Sequence, residues 1–181
     1  MRDSFTLRAL DEGYRARSVY KLIFINKKYY LIKKNDNVLD LGAWPGSWMQ
    51  ICLNLQAKVT GVDLKPIQSM PGGKFILGDI YDDKILEKIE ENGKYDVVLS
   101  DLAPKTTGIN NQELSYDLCY RAFEITKKVL RKNGNFLFKI FQGPNFNEFL
   151  KELKKNFEFV KGVKPEASKK KSSEMYFVCK N

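Results

Sequence analysis

The feature that most constrains this chain is an alternation of short apolar runs with amphipathic stretches. A sheet covered by helices is the arrangement that buries both kinds of segment. Strands are predicted at Val38–Leu41, Val59–Val62, Phe75–Leu77, Tyr95–Ser100, Asn135–Ile140, Phe157–Val160 and Met175–Val178. Helices are predicted at Ser18–Tyr30, Ser47–Leu55, Ile85–Glu91, Leu114–Leu130 and Phe146–Lys155. Strand–helix–strand order gives an α/β fold with a doubly wound, mostly parallel, seven-stranded sheet and helices on both faces. Residues 161–174 form a loop too short for a comfortable helical crossover, so the last strand is expected to be antiparallel. No repeat or linker interrupts the 181 residues, and one domain, 1–181, is expected.

In such sheets ligands sit beyond the carboxyl ends of the strands, near the switch in strand order. The first strand ends in Asp40-Leu41-Gly42-Ala43-Trp44-Pro45-Gly46-Ser47-Trp48. Gly42 and Gly46 let the backbone turn sharply against a ligand. Asp63 follows Gly42 by 21 residues and ends the second strand, where a carboxylate accepts both hydroxyls of an adenosine ribose. Asp79, after the third strand, is placed to read an adenine amino group. Taken one at a time, these residues also read as turn glycines, a helix cap and a helix N-terminal residue. In register on one frame they favour a pocket. The dinucleotide fingerprint Gly-x-Gly-x-x-Gly is missing, so a nucleoside cofactor without a pyrophosphate fits better.

Charge is unevenly placed. Net charge is +9; residues 1–34 hold nine Lys/Arg against three Asp/Glu, and residues 161–181 hold six against two. The middle is nearly neutral. Basic ends around a neutral centre suggest a polyanion gripped beside a separate pocket, although solvated surface lysines would give the same count. There is no histidine, so proton transfer must use Lys, Asp, Glu, Tyr or Cys. Three dispersed cysteines fit neither a disulfide framework nor a metal site, and reduced buried thiols are expected. No stretch approaches the roughly 18 apolar residues of a membrane span, and no signal peptide opens the chain. A soluble, cytoplasmic monomer is expected.

A second constellation lies beside the pocket. Ser100-Asp101-Leu102-Ala103-Pro104 closes the fourth strand, and Lys139 stands among apolar neighbours in the fifth. A buried ammonium without a partner is costly, so Lys139 needs a carboxylate. Glu174 begins the last strand and Lys21 lies on the first predicted helix. With these motifs in view the chain resembles the FtsJ/RrmJ-type RNA 2′-O-methyltransferases, the heat-shock large-subunit ribosomal RNA enzymes in particular. The resemblance runs from about Glu12 to the C-terminus. It rests on Asp-Leu-Gly-Ala-x-Pro-Gly-x-Trp-x-Gln at 40–50, Ser-Asp-Leu-Ala-Pro at 100–104, Lys-Ile-Phe-Gln-Gly at 139–143 and Lys-Pro-x-x-Ser…Ser-Ser-Glu-x-Tyr at 164–176.

The resemblance implies a Rossmann-like class I methyltransferase fold that uses S-adenosyl-L-methionine. The family's Lys-Asp-Lys-Glu tetrad falls on Lys21, Asp101, Lys139 and Glu174. Gly46, Trp48, Asp63, Asp79 and Asp101 become cofactor contacts, and Gly42 completes the turn. RNA is the implied partner, most directly a uridine of large-subunit ribosomal RNA, with transfer RNA as the competitor. The candidate phosphate contacts are Arg15 and Arg17 in the basic segment 1–34, and Lys169, Lys170 and Lys171 before Glu174. Residues 35–181 would form the catalytic core, and Lys105–Asn111 a loop that closes over RNA. Two positions depart from the family pattern: Trp44 stands where a small residue is usual, and Ser47 where glycine is frequent. A base-carbon methylase would carry a cysteine after the fourth strand, and an amino-directed enzyme an Asn/Asp-Pro-Pro-aromatic run; neither is present. A non-catalytic RNA-binding module on the same fold is the remaining alternative, and the four tetrad residues argue against it.

Overall fold

An apolar run buried on both faces belongs in the middle of a parallel sheet. Val38, Leu39 and Leu41 take that place in the computed structural model, which describes residues 3–104, 111–141, 143, 146–168 and 173–181. The strands are β1 (Asn37–Leu41), β2 (Lys58–Asp63), β3 (Gly73–Leu77), β4 (Tyr95–Ser100), β5 (Leu130–Phe141), β6 (Phe159–Val163) and β7 (Glu174–Lys180). The helices are α1 (Ser4–Asp11), α2 (Val19–Tyr29), α3 (Ser47–Asn54), α4 (Asp83–Glu91), α5 (Asn111–Val129) and α6 (Phe146–Asn156). Strand order is β3-β2-β1-β4-β5-β7-β6. The first five strands in sequence pair in parallel, and β7 runs antiparallel between β5 and β6. The chain reverses its direction of travel across the sheet between β1 and β4. That switch point sets the ligand crevice.

Two apolar layers enclose the sheet. One gathers Leu22, Ile25, Met49 and Cys52 of α2 and α3 over Val38, Val59 and Val97. The other is rich in phenylalanine: Phe136 and Phe138 of β5 stack at 4.9 Å, and Phe138 stacks on Phe177 of β7 at 5.7 Å. Each such pair adds about 0.5–1.5 kcal/mol beyond the area it buries. Phe157, expected to open the sixth strand, is drawn instead into this cluster against Phe123 and Phe136, and β6 begins two residues later. Strand β5 starts earlier than expected because Leu130 already pairs with Tyr95 before an irregularity in the ladder.

Helix α1 has no counterpart in the sequence reading. Asp3 caps it, accepting from the Thr6 backbone N–H at 3.0 Å, as short polar side chains do at helix starts. Only Ala9 is fully buried, while Leu7 and Leu10 stay exposed, so the apolar periodicity that marks longer helices is weak here. Among the described residues, no helix is long and apolar enough to cross a membrane.

Gly42 shows why the first turn is tight. Its φ is +81°, and a Cβ there would stand 3.1 Å from the Leu102 backbone nitrogen. The turn after β1 is thereby pressed against the segment that follows β4.

Asp40 is the one anomaly of the central strand. It is 0% exposed, and neither carboxylate oxygen has a hydrogen-bond partner among the described residues. Burial, then the charges of Asp101 and Asp63, push its carboxyl well above the ordinary 3.8. A raised native value means that the folded state keeps a proton the unfolded state has lost. The resulting stability is fully present below the unfolded value and declines as pH rises through the folded one. Asp40→Asn, which cannot ionise, should therefore gain on the wild type as pH increases. Urea unfolding of both proteins at about pH 5 and about pH 8 measures this, and a pH-independent difference would refute it.

Candidate active site

Strand pairing assembles the polar cluster at the carboxyl end of the sheet. Antiparallel register sets Lys139 of β5 opposite Tyr176 of β7. The two-residue period of a strand then places Glu174 on the same face as Tyr176. Asp101 follows β4, its backbone N–H donating to Leu41 at 3.1 Å. Lys21 arrives on the first turn of α2, which Val19, Leu22 and Ile25 pin into the core.

These groups form one connected network. Lys139 Nζ donates to the Asp101 backbone carbonyl at 2.8 Å and to Asp101 Oδ1 at 2.9 Å. Lys21 Nζ donates to Glu174 Oε1 at 2.6 Å and to the Tyr176 hydroxyl at 3.1 Å. Tyr176 in turn donates to Asp101 Oδ1 at 2.7 Å, so its hydroxyl joins the two ion pairs. Ser168, 6% exposed, also donates to Glu174 Oε1 at 2.9 Å. Burial alone would raise the Asp101 carboxyl, but the cations of Lys139 and Lys21 and hydrogen bonds from Tyr176 and Lys139 hold it below the usual carboxylate value. Burial first, then the charges of Asp101 and Glu174, push the Tyr176 phenol well above its ordinary 10.0 and keep it a donor. The fifth-strand lysine is thus bounded by a carboxylate that stays ionised and a phenol that stays neutral.

Asp101 also borders a cavity of about 320 Å³ lined by Gly42, Trp44, Asp63, Lys65, Asp79, Leu102 and Pro104 among others. Asp63 accepts backbone N–H bonds from Trp44 and Lys65, each at 2.9 Å. Asp79 accepts one from Tyr81 at 3.0 Å. Each carboxylate keeps further acceptor capacity for a ligand. A larger groove, about 1200 Å³, lies between α5 and α6 and includes no residue of the network. The smaller cavity shares a residue with the network and is the chemical candidate.

The structure separates other expected site residues from this cavity. Gly46, at φ +103°, faces Arg15 and Met70 and does not line it. Trp48 is 2% exposed; its indole N–H donates to the Ser18 carbonyl at 2.9 Å and its ring packs 5.9 Å from Tyr176. Its side chain supports the network from beneath and does not face the cavity.

The two arginines expected to meet phosphate are committed internally. Arg15 spans the carbonyls of Pro45, Gln68 and Ser69 at 3.1, 2.9 and 3.3 Å. Arg17 joins Asp3 to the Ala167 carbonyl. In the structure both act as braces, Arg15 through three backbone carbonyls and Arg17 through one carbonyl and one carboxylate. Lys169, Lys170 and Lys171 and most of the expected closing loop (105–110) lie outside the described residues.

Tyr176 and Ser168 belong to the motif at 164–176, but the sequence gives them no role; their contacts with Asp101 and Glu174 emerge only with the strand register. All three cysteines are free and buried. Burial pushes the Cys119 thiol up to about 12 despite Ser115 and Lys139 nearby, which leaves it inert as a nucleophile near neutral pH.

Comparison with known proteins identifies a family. Residues 14–181 match the sequence model of FtsJ-like methyltransferases. The chain is 44% identical to ribosomal RNA large subunit methyltransferase E of Archaeoglobus fulgidus, over 98% of this chain and 95% of that one. It is 41% identical to the protein of the same name from Coxiella burnetii, over 98% and 89%. A solved structure described as a ribosomal RNA methyltransferase from Plasmodium falciparum superposes with a TM-score of 0.83 at 33% identity, covering 93% of this chain and 98% of that one. Human methyltransferase-like protein 13, solved with SAH, shares the fold at a TM-score of 0.62 and 14% identity, over 90% and 78%. The chain belongs to the FtsJ-like methyltransferase family.

Proposed function

We propose that this protein is an S-adenosyl-L-methionine-dependent RNA methyltransferase acting on a ribose 2′-hydroxyl, of a uridine in large-subunit ribosomal RNA. The observation that carries the reading is Asp101, which lines the nucleoside-sized cavity and holds Lys139 at 2.9 Å. The names of the 41–44% identical relatives support ribosomal RNA as substrate. The chemistry of the network supports a hydroxyl as acceptor, because no ionisable thiol is available for attack on a base carbon.

The residues present fit the cofactor. Asp63 would accept the ribose hydroxyls and Asp79 the adenine amino group, while Gly42 lets the backbone approach. Bound there, S-adenosyl-L-methionine supplies a methyl group already activated on sulfur. The protein's remaining task is to align a weak nucleophile and assist loss of its proton. Lys139 is the group for that step. Acting as the free amine, Lys139 would donate its two N–H groups to the Asp101 carbonyl and carboxylate and turn its lone pair to the incoming hydroxyl, taking the proton as the oxygen takes the methyl group. Tyr176 and Lys21 tie Asp101 to Glu174, so the lysine meets the hydroxyl from a fixed position.

The site of methylation is read directly from RNA. A 2′-O-methyl removes the hydroxyl that attacks the neighbouring phosphodiester in alkali. RNA treated with enzyme and cofactor should show one gap in its alkaline ladder. Incorporated label with a complete ladder would mean base methylation and would overturn the assignment.

The role of Lys139 is read from two variants. Lys139→Ala should lower single-turnover rates by about 10²–10⁴ and leave cofactor affinity within a few-fold. Lys139→Arg should be nearly as damaging, because a guanidinium does not release its proton. An Arg variant that keeps most of the rate would make the side chain a fixed cation, and full rates in both would exclude it from the mechanism.

A further inference from the structure

Trp44 takes no part in the polar network. It stands at the mouth of the cavity, 50% exposed. A half-exposed indole is a large apolar surface to leave in water, and at a pocket rim it is informative. Its surroundings are organised. The Trp44 backbone N–H donates to Asp63 Oδ2 at 2.9 Å, and the Lys65 backbone N–H donates to Asp63 Oδ1 at 2.9 Å. The side chains of the same two residues then meet: Lys65 Nζ lies 4.4 Å from the centroid of the indole. A cation at that distance is attracted by the ring face. One pair of residues therefore fixes the Asp63 carboxylate through its backbone and builds an aromatic wall beside that carboxylate with its side chains.

We propose that Trp44, held in place by Lys65, is a cofactor-positioning residue that covers the adenosine half of S-adenosyl-L-methionine. The proposal rests on the reading of this cavity as an S-adenosyl site. A ribose whose hydroxyls meet Asp63 lies next to the indole, and binding removes the exposed ring from water. Lys65 lowers the cost of that step by restraining the ring before the ligand arrives. The wall serves the nucleoside and not the amino-acid tail, because Trp44 and Lys65 both converge on the Asp63 end. An exposed tryptophan beside a lysine is also a surface on which an unpaired RNA base stacks. Its backbone bond to Asp63 favours the cofactor.

The experiment compares S-adenosylhomocysteine, 5′-methylthioadenosine, which keeps the nucleoside and lacks the amino-acid tail, and homocysteine. The chain has two tryptophans, and Trp48 is buried against Ser18 and Tyr176, so fluorescence that responds to ligand reports Trp44. Both adenosine compounds should change the wild-type emission, and homocysteine should not. Trp44→Phe should abolish that change. By calorimetry, Trp44→Ala should weaken both adenosine compounds about tenfold, the size of one aromatic contact to a nucleoside, with RNA affinity within about two-fold. Lys65→Met, which keeps the stem and removes the charge, should fall between wild type and Trp44→Ala. Unchanged affinity for both compounds in Trp44→Ala would overturn the positioning role and leave the cofactor reading intact. Weakened RNA binding with normal S-adenosylhomocysteine binding would overturn it in favour of a base-stacking platform. Failure of wild-type protein to bind S-adenosylhomocysteine would overturn both the wall and the reading beneath it.

Discussion

Two ammonium groups buried at one end of the sheet, those of Lys21 and Lys139, set the terms for everything around them. Each must face a carboxylate, since removing one partner of a buried pair costs about 3–5 kcal/mol. Lys139 comes from β5, Asp101 from the end of β4, Lys21 from α2 and Glu174 from β7. The pairing therefore requires the α2 docking, the β4–β5 register and the β5–β7 register together. A one-residue slip of β7 would turn Tyr176 and Glu174 to the opposite face and leave Lys21 unpaired. Ion pairs of this kind are weak stabilisers. Their worth lies in admitting one register out of several.

The same network couples two chemically distinct regions. Asp101 belongs to the cavity wall and to the lysine at once, and its ionised state is maintained by the two cations it faces. Asp40, shut off from water and close enough to feel the charges of Asp101 and Asp63, holds its proton. Three acids near the switch point thus divide their roles by environment. Asp101 has cations and a phenol, Asp63 has two backbone N–H groups, and Asp40 has neither. Identical side chains separated by a few residues or one strand thus acquire different roles from burial and from their partners.

Much of this was legible in the residues. Period-two patterning and strand–helix order imply the α/β sheet, and the brevity of residues 161–174 implies the antiparallel end. Lys139 drew notice because a lysine in an apolar strand demands a partner. Other features depend on distances that spacing does not carry. Tyr176 gains its place from the register opposite Lys139, which a list of strands does not specify. Arg15 and Arg17 look like phosphate ligands by charge. Whether a guanidinium meets solvent or three converging carbonyls is decided by loops whose course is not periodic. Trp48 shares a motif with the turn that bounds the cavity, yet one helical step carries its ring beneath the polar network. Helix α1 escaped because eight residues with one buried alanine give little amphipathic signal.

Strand β7 lies between β5 and β6 although it follows both in the chain. Until it is inserted, β6 has no neighbour to pair with, and β5 presents an unpaired edge flanked by Phe136 and Phe138. Seating β7 beside β5 is a long-range pairing, of the kind that slows folding and leaves aggregation-prone edges open until it forms. The strand that seals this edge also delivers Glu174 and Tyr176. Without β7, Lys139 and Asp101 would still lie on adjacent strands but would lack the groups that join them to Lys21. Completion of the polar network and protection of the sheet edge thus depend on the same strand.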